Sequence, residues 1–527
     1  MTLRLNAPGM TALHKAGLAG LYMTLRAFEE KERLIDGLTW QLEPQRVILH
    51  WTDETPRAAF EKLIKSSFRI DEKGFIRLPG LELEREMTFA QRHHLYKALL
   101  NTFLQYGKHR EKSTKTTLSY DIGGDKIYWL KDFEPIKQFI HRKIVDDDNI
   151  TREWINNDGL FKNNVEIIGW LYPGGSVRHV DSSLQKATTL REPFVSALLL
   201  LFAPIGVIYY NIHSKLGGRK ARTALLLPEI RDLEEYASLR QLIAAQGVLE
   251  LTASGASDAV LRMLLTIKAN SLNNEFAQVL HQNFLCRVVT FGIVPWNEKQ
   301  KSRTSTRSVF SGSLSGFENY RLAAALFENS WQQSSPKRNE PAEYFVTTFC
   351  ARELIAENIA SNKTWYHNIA DRLTRKETRV ELYYERKELG RMVEEAEFDD
   401  ERERRFIKVC HESWRRRLGK LGERATRESA SFPSLARKEA ERLRTSLARC
   451  KNADTLRETV VDFWSRGGGN ELLQGDGLIS LLPLFSEQNW RKAKDLALLA
   501  LVSYQPQSRE EANALKTESP NKGDQRQ

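Results

Sequence analysis

The sequence predicts an α+β protein: a mixed α/β body over residues 1–385, an all-helical bundle over 386–505 and a disordered polar tail over 506–527. Three observations predict it. Strand-like and helix-like segments interleave up to about residue 385, so that part cannot be all-helical. Beyond it, helix formers dominate and no stretch reads convincingly as a strand. The charge is also uneven: the formal net charge is +11, yet residues 401–451 alone hold 16 Lys and Arg against 7 Asp and Glu. A length of 527 residues exceeds one ordinary core, and a subdivision of the body is allowed near 215–230.

In chain order, residues 11–30 read as a helix capped by Thr11, with Leu18, Leu21, Tyr22, Leu25 and Phe28 at helical spacing. Ala16, Gly17, Ala19 and Gly20 interrupt that stripe. Two helical glycines cost about 1 kcal/mol each relative to alanine, so close packing of another backbone is expected there. Residues 46–51 and 165–171 read as strands, and 89–106 and 257–268 as helices. Asp71 to Gly74, Gly123 and Gly124, Pro173 to Gly175, and Gly217 and Gly218 mark turns, and 332–341 reads as a loop. The apolar run 194–210 is short for a membrane span and contains Pro204 and Gly206. A buried helix turning at 203–206 into a buried strand explains it better. No internal repeat is visible.

In the bundle, Phe406, Cys410, Trp414, Leu418 and Leu421 fall on one side of a helix, and Arg405, Lys408, Arg415, Arg416 and Lys420 on the other. Gly419 and Gly422 are expected to end or bend it. A second helix starts near Ser434 with Leu443 and Leu447 inward. A third follows Ser486, with Trp490, Leu498 and Leu501 as core positions.

Local catalytic signatures are missing. No phosphate-binding P-loop, dinucleotide fingerprint or HExxH pair occurs. The cysteines Cys286, Cys350, Cys410 and Cys450 fit no CxxC pair or disulfide framework and suit a reducing cytoplasm. The N-terminal residues lack a secretory core. His93 and His94, adjacent on a helix, diverge by about 100° and do not easily share a metal. The acidic runs 146–148 and 397–403 read as solvated, and Ser254 to Ser257 as a turn and N-cap. Neither a metal nor another cofactor is expected.

Basic segments are better candidates, because Lys and Arg neutralise phosphates while hydroxyls and backbone N–H groups fix register. Lys108, Arg110, Lys112 and Lys115 form one; Arg219 and Lys220 another; Lys299, Lys301, Arg303 and Arg307, after Trp296, a third. Gly174 and Gly175 allow a close backbone approach, with Arg178 and His179 just beyond. Each alone is also what a solvated loop looks like. Together with the basic face of Arg405, Lys408, Arg415, Arg416 and Lys420, they favour nucleic acid.

Several stretches resemble a known family. LHKAGLAGL (13–21), WLYPGGSVRH (170–179) with LLLLFAPIG (198–206), and Pro295-Trp296-Asn297 with KQKSRT (299–304) are similar to blocks of the Myxan-type large subunit of type I CRISPR effector complexes (Cascade). NWRKAKDLAL (489–498) resembles the end of the helical Cascade small subunit. The resemblance spans roughly residues 10–505. It implies a non-catalytic subunit that recognises a protospacer-adjacent motif on duplex DNA, helps open it and supports the R-loop, sequence being read by RNA–DNA pairing.

The implied partners are crRNA, target double-stranded DNA and the displaced strand, and the backbone, handle-binding and small subunits of Cascade. A helicase–nuclease or transposition proteins would act downstream. No membrane is involved. Relatives can also make the small subunit from the 3′ end of the large-subunit gene, which points to a second start at or near Met392. DNA and crRNA both remain open as the ligand of each basic segment. Two other readings stand beside this one: a nuclease with dispersed metal ligands, and a membrane-associated basic protein anchored by 194–210.

Overall fold

The computed structural model describes residues 1–51, 56–82, 86–105, 111–124, 126–138, 154–156, 158, 160–167, 169–173, 178–181, 186–216, 221–270, 284–292, 303–311, 316–333 and 343–506. Acidic run 146–148 and the tail beyond 506 lie outside them. The fold is α+β, with a mixed body and a helical C-terminal region. It divides into two compact units: Met1–His213 with Lys220–Gly312 and Asn329–Thr347, and Ser214–Arg219 with Ser313–Glu328 and Thr348–Gln527. Position 385/386, where the sequence suggested a boundary, is internal to the second unit.

In the first unit, helix α1 (Ala12–Glu30) begins as expected: Thr11 caps it, and its N–H donates to His14 Nδ1 at 3.3 Å. Strands β1 (Thr2–Arg4), β2 (Leu38–Glu43) and β3 (Arg46–Trp51) form an antiparallel sheet in the order β1-β3-β2. Helices α2 (Arg57–Ser67) and α3 (Phe89–Asn101) follow. Helix α3 stops short of 106 because Thr102 turns the chain, its hydroxyl donating to Ala98 O at 2.8 Å, and Phe103 and Leu104 bury outside the helix.

Helix α4 (Phe194–Gly206) is packed directly on α1. A Cβ at Gly17 would overlap the Leu199 carbonyl, one at Gly20 the Phe202 carbonyl, and one at Gly206 the Ala16 carbonyl. The glycine cost of about 1 kcal/mol each is outweighed where contact buries Leu18, Leu21, Leu25 and Phe28 completely, each side chain contributing about 1.5–3 kcal/mol. Helix α4 continues through Pro204 to Gly206, the end of the turn expected over 203–206, and a buried strand follows from Ile208. The helix's last carbonyls are satisfied by buried side chains: Tyr209 Oη donates to Pro204 O at 2.8 Å, Arg240 Nε to Ile205 O at 3.2 Å and Tyr236 Oη to Gly206 O at 2.5 Å. Among the described residues no helix is long and apolar enough to cross a membrane.

The chain then enters a five-stranded sheet of β4 (Ile208–Ile212), β5 (Ala221–Pro228), β6 (Thr252–Ala253), β7 (Phe284–Gly292) and β8 (Arg303–Ser311), ordered β6-β4-β5-β7-β8. Only the β4–β6 pairing is parallel. Helices α5 (Leu233–Ala244) and α6 (Ala256–Asn270) belong to the same unit. The strand expected over 165–171 is shorter, Asn164–Glu166. A 3₁₀ turn at Gly169–Leu171 replaces its end, and buried Trp170 donates to Leu201 O at 2.9 Å there.

The second unit holds α7 (Phe317–Leu326), α8 (Cys350–Ala360), α9 (Ile369–Arg372), α10 (Lys376–Tyr384), α11 (Arg386–Glu395), α12 (Glu401–Arg427), α13 (Phe432–Arg449), α14 (Ala453–Gly467), α15 (Gly477–Leu481) and α16 (Trp490–Ser503). Helix α12 buries Phe406, Cys410, Trp414, Leu418 and Leu421. It neither ends nor breaks at Gly419 or Gly422, because Leu418, Leu421 and Ala425 anchor the buried stripe across them. Leu443 and Leu447 of α13 and Leu498 of α16 are buried, while Trp490 and Leu501 are half-buried. Helix α14 was not anticipated. Nor is the acidic run 397–403 wholly solvated: Glu403 is buried and accepts from Tyr366 Oη and Lys492 Nζ, both at 2.7 Å. Cys286, Cys350, Cys410 and Cys450 are all free and buried.

Glu385 explains why 385/386 is no linker. Its buried carboxylate accepts from the backbone N–H groups of Cys350 and Ala351, both at 2.7 Å, capping α8. Burial raises its pKa to about 7 despite those donors. The native state therefore binds more protons than the unfolded one between about pH 4.5 and about 7, and this group's contribution to stability falls as pH rises through that window. Glu385→Gln is expected to flatten the pH dependence of thermal unfolding there; identical slopes would refute the assignment. Gly17→Val should destabilise the chain by about 1–3 kcal/mol or more through overpacking. Gly419→Ala, which meets no heavy atom within 4 Å, should stabilise it by up to about 1 kcal/mol, and denaturant titration reads both.

Candidate nucleic-acid interface

Half of the basic residues in 401–451 are already spoken for. Arg402, Arg404, Arg415, Arg416, Arg417, Arg424, Arg442 and Arg444 each form an ion pair with a nearby carboxylate. Glu412 shows the effect: hydrogen bonds from Arg415, foremost, and Arg416 hold its pKa down to about 2. Arg416 also reaches Glu471 at 3.4 Å. Two of the five cations selected from the sequence, Arg415 and Arg416, are therefore partly neutralised.

The other three, Arg405, Lys408 and Lys420, are exposed. Arg405 Nη2 donates to Leu472 O and Lys420 Nζ to Arg466 O, both at 3.3 Å, which leaves their full charge uncompensated. Arg427, Arg437, Lys438, Arg449 and Lys451 are exposed too, with no carboxylate in ion-pair range among the described residues. Arg427 lies seven residues after Lys420 and so continues the same stripe of α12. That spacing could have found it; the others needed knowledge of which carboxylates their neighbours take.

The remaining candidates are scattered along the chain outside this helix. Lys108, Arg110, Gly174, Gly175, Arg219, Lys220, Lys299 and Lys301 lie outside the described residues, as does Trp296. Lys112 sits on the short strand Glu111–Lys112, paired with Ile136–Gln138, and Lys115 is exposed just before the strand Thr116–Asp121. Arg178 and His179 begin the strand Arg178–Asp181, opposite Thr189 and Thr188. Arg303 and Arg307 belong to β8, opposite Gly292 and Val288, at the open edge of the five-stranded sheet. The polar arm expected over 299–307 is thus a strand from 303 on, as the β-branched Thr304, Thr306 and Val309 allow.

His93 and His94 are both buried. His94 Nδ1 accepts from Asn211 Nδ2 at 3.0 Å and Nε2 lies 3.3 Å from Tyr209 O, a pairing that requires a neutral ring. His93 stands against the rings of Tyr120 and Tyr128. Burial lowers their pKa values to about 3 for His93 and about 4 for His94. Ser254 N–H and Oγ both donate to buried Asp258 at the start of α6, an arrangement for capping and not for nucleophilic attack. Among the described residues no three His, Cys, Asp or Glu side chains come together as metal ligands.

The pieces define a class: a basic, two-unit α+β protein whose distinctive chemistry is unpaired surface cations. Comparison with known proteins sharpens it. Residues 2–201 match the DevT N-terminal domain and 394–527 the DevT C-terminal domain. The chain is also 28% identical to the CRISPR-associated protein Cas8a1/Csx13 of Myxococcus xanthus (strain DK1622), over 97% of its own length and 90% of that protein's. Together these matches support a CRISPR-associated Cas8-type large subunit.

Proposed function

We propose that the chain is the non-catalytic large subunit of an RNA-guided type I (Cascade) complex, which recognises the protospacer-adjacent motif on duplex DNA, helps open it and supports the R-loop. The observation that carries this reading is the end-to-end likeness to the Cas8a1/Csx13 protein. The exposed, unpaired cations of α12 and α13 support it, because they can grip phosphates without reading bases. Its partners are crRNA, the target duplex, the displaced strand and the other Cascade subunits, with a helicase–nuclease or transposition proteins acting afterwards.

Binding of the assembled complex to target DNA, measured as log affinity against log salt concentration, tests the assignment. Lys408→Ala with Lys420→Ala is expected to make the slope shallower by about 0.9 for each phosphate that is no longer neutralised. Arg415→Ala should change it less, since Glu412 already compensates that charge. An unchanged slope in the double variant would make the face a solvated one, and metal-dependent cleavage by the isolated chain would replace the whole reading with that of a nuclease.

A second product starting at Met392 fits the same reading. The DevT C-terminal match begins two residues later, at 394, and the fragment would carry the cation-rich helices along the displaced strand. Intact-mass measurement of the purified native complex is expected to find a chain covering 392–527 beside the full-length one. Only full-length protein would count against it.

A further inference from the structure

The first unit contains a groove of about 700 Å³ between the end of α1, the hairpin of Arg69–Ile70 and Ile76–Arg77, and the start of α3. Six cations and four carboxylates line it, an excess of two. Ion pairs leave four of the six cations, Lys31, Arg33, Arg69 and Lys73, without a carboxylate in range among the described residues. Arg77 is neutralised by Glu82, with a second bond to Glu86 at 3.0 Å. Arg92 binds Asp71 at 3.1 Å. Lys31 Nζ donates to the Glu82 carbonyl at 2.8 Å. Arg33 and Arg69 have no carboxylate in ion-pair range among the described residues, although both line the groove.

These two guanidiniums also work against each other. Burial, then the positive charges of Arg33 and Arg77, lower the pKa of Arg69, so its charged form is disfavoured by its surroundings. Arginine stays protonated at neutral pH regardless, and the Glu82 charge offsets the repulsion only in part, so an entering anion would relieve it. Leu34, the residue after Arg33, is 81% exposed, an apolar side chain adjoining one of the two forked donors in the chain. A guanidinium fork matches two phosphate oxygens, and an adjoining apolar side chain offers contact to a base or sugar. A free phosphate would use only the first of these.

We infer that this groove binds the phosphodiester backbone of a nucleic-acid strand, with Arg33 and Arg69 as its phosphate-gripping residues and Leu34 against the adjoining nucleoside. It deepens the nucleic-acid role proposed above and rests on it. No selected basic segment includes these residues, which are 36 positions apart in the sequence.

The test uses the full chain with fluorescent 20-nucleotide probes: single-stranded DNA, single-stranded RNA and duplex DNA. Arg33→Ala with Arg69→Ala is expected to weaken at least one probe about tenfold or more and to shallow its salt slope by up to about 1.8. The probe most affected identifies the strand. Arg33→Lys with Arg69→Lys should keep the slope while still losing affinity, because charge is retained and the fork is not. The alanine variant should melt no lower than wild type, whereas a structural role would lower its melting temperature. Wild-type binding with unchanged affinity and slope in the alanine variant would overturn the groove alone, and is the outcome expected if the groove takes an acidic protein segment instead. Absence of binding by the wild-type chain would overturn both the groove and the nucleic-acid reading.

Discussion

The backbone contact between α1 and α4 is the constraint on which the first unit depends. Helix backbones ordinarily stay 8–10 Å apart because side chains intervene. Here Gly17, Gly20 and Gly206 remove those side chains where carbonyls of the opposing helix lie. Once the helices touch, Leu18, Leu21 and Leu25 on one and Leu198, Leu201 and Phe202 on the other are fully dry. The carbonyls at the end of α4 then cannot reach water, which is why Tyr209, Tyr236 and Arg240 are carried inward to satisfy them. Arg240 illustrates the consequence: burial lowers its pKa, yet its position as a donor to Ile205 O keeps the junction intact.

The second unit follows a different rule, in which charge is sorted before it is used. Local pairs at i,i+3 and i,i+4, such as Arg415–Glu412, Arg424–Glu428 and Arg444–Glu441, hold the helices and neutralise their own arginines. Each exposed pair is worth only about 0.3–0.5 kcal/mol, so stability is a minor result. The greater effect is to concentrate uncompensated charge on the cations left over, all of them exposed. A local composition of 16 cations against 7 carboxylates thus overstates the number free to meet a polyanion. It also understates how definite their positions are.

Much of this fold was legible because its signals are local. Thr11 before an apolar stripe marks a helix start, glycines inside that stripe demand a close neighbour, and Phe406 to Leu421 repeats at helical spacing. What failed depended on distant partners. Residues 165–171 look like a strand until Trp170 finds Leu201 O, and Gly419 looks like a stop until Leu418 and Leu421 prove buried. The site was less legible than the fold for the same reason. Nothing around Glu412 says that it compensates both Arg415 and Arg416, and nothing around Arg33 says that Arg69 faces the same groove without a carboxylate. Family blocks, by contrast, are runs of consecutive residues, so the resemblance was readable where the binding residues were not.

Buried carboxylates make the C-terminal bundle harder to separate than its sequence suggests. Asp495 of α16 accepts from the backbone N–H groups of Asn368 and Ala370 at 2.8 and 3.0 Å, and burial raises its pKa to about 6. Glu403 of α12 accepts from Tyr366. A chain that began at Met392 would keep both acids and lose all three donors. Met392 itself lies fully buried within α11, so the cut would also leave part of a helix that packs on α16. With the elements that bury it gone, Asp495 would return to water and to an ordinary carboxylate pKa. Glu403 would keep Lys492 as its ion-pair partner. The short chain would therefore retain the core of α12, α13, α14 and α16 but expose an acidic and apolar face that the full chain covers, a face available to a partner only in the separate product.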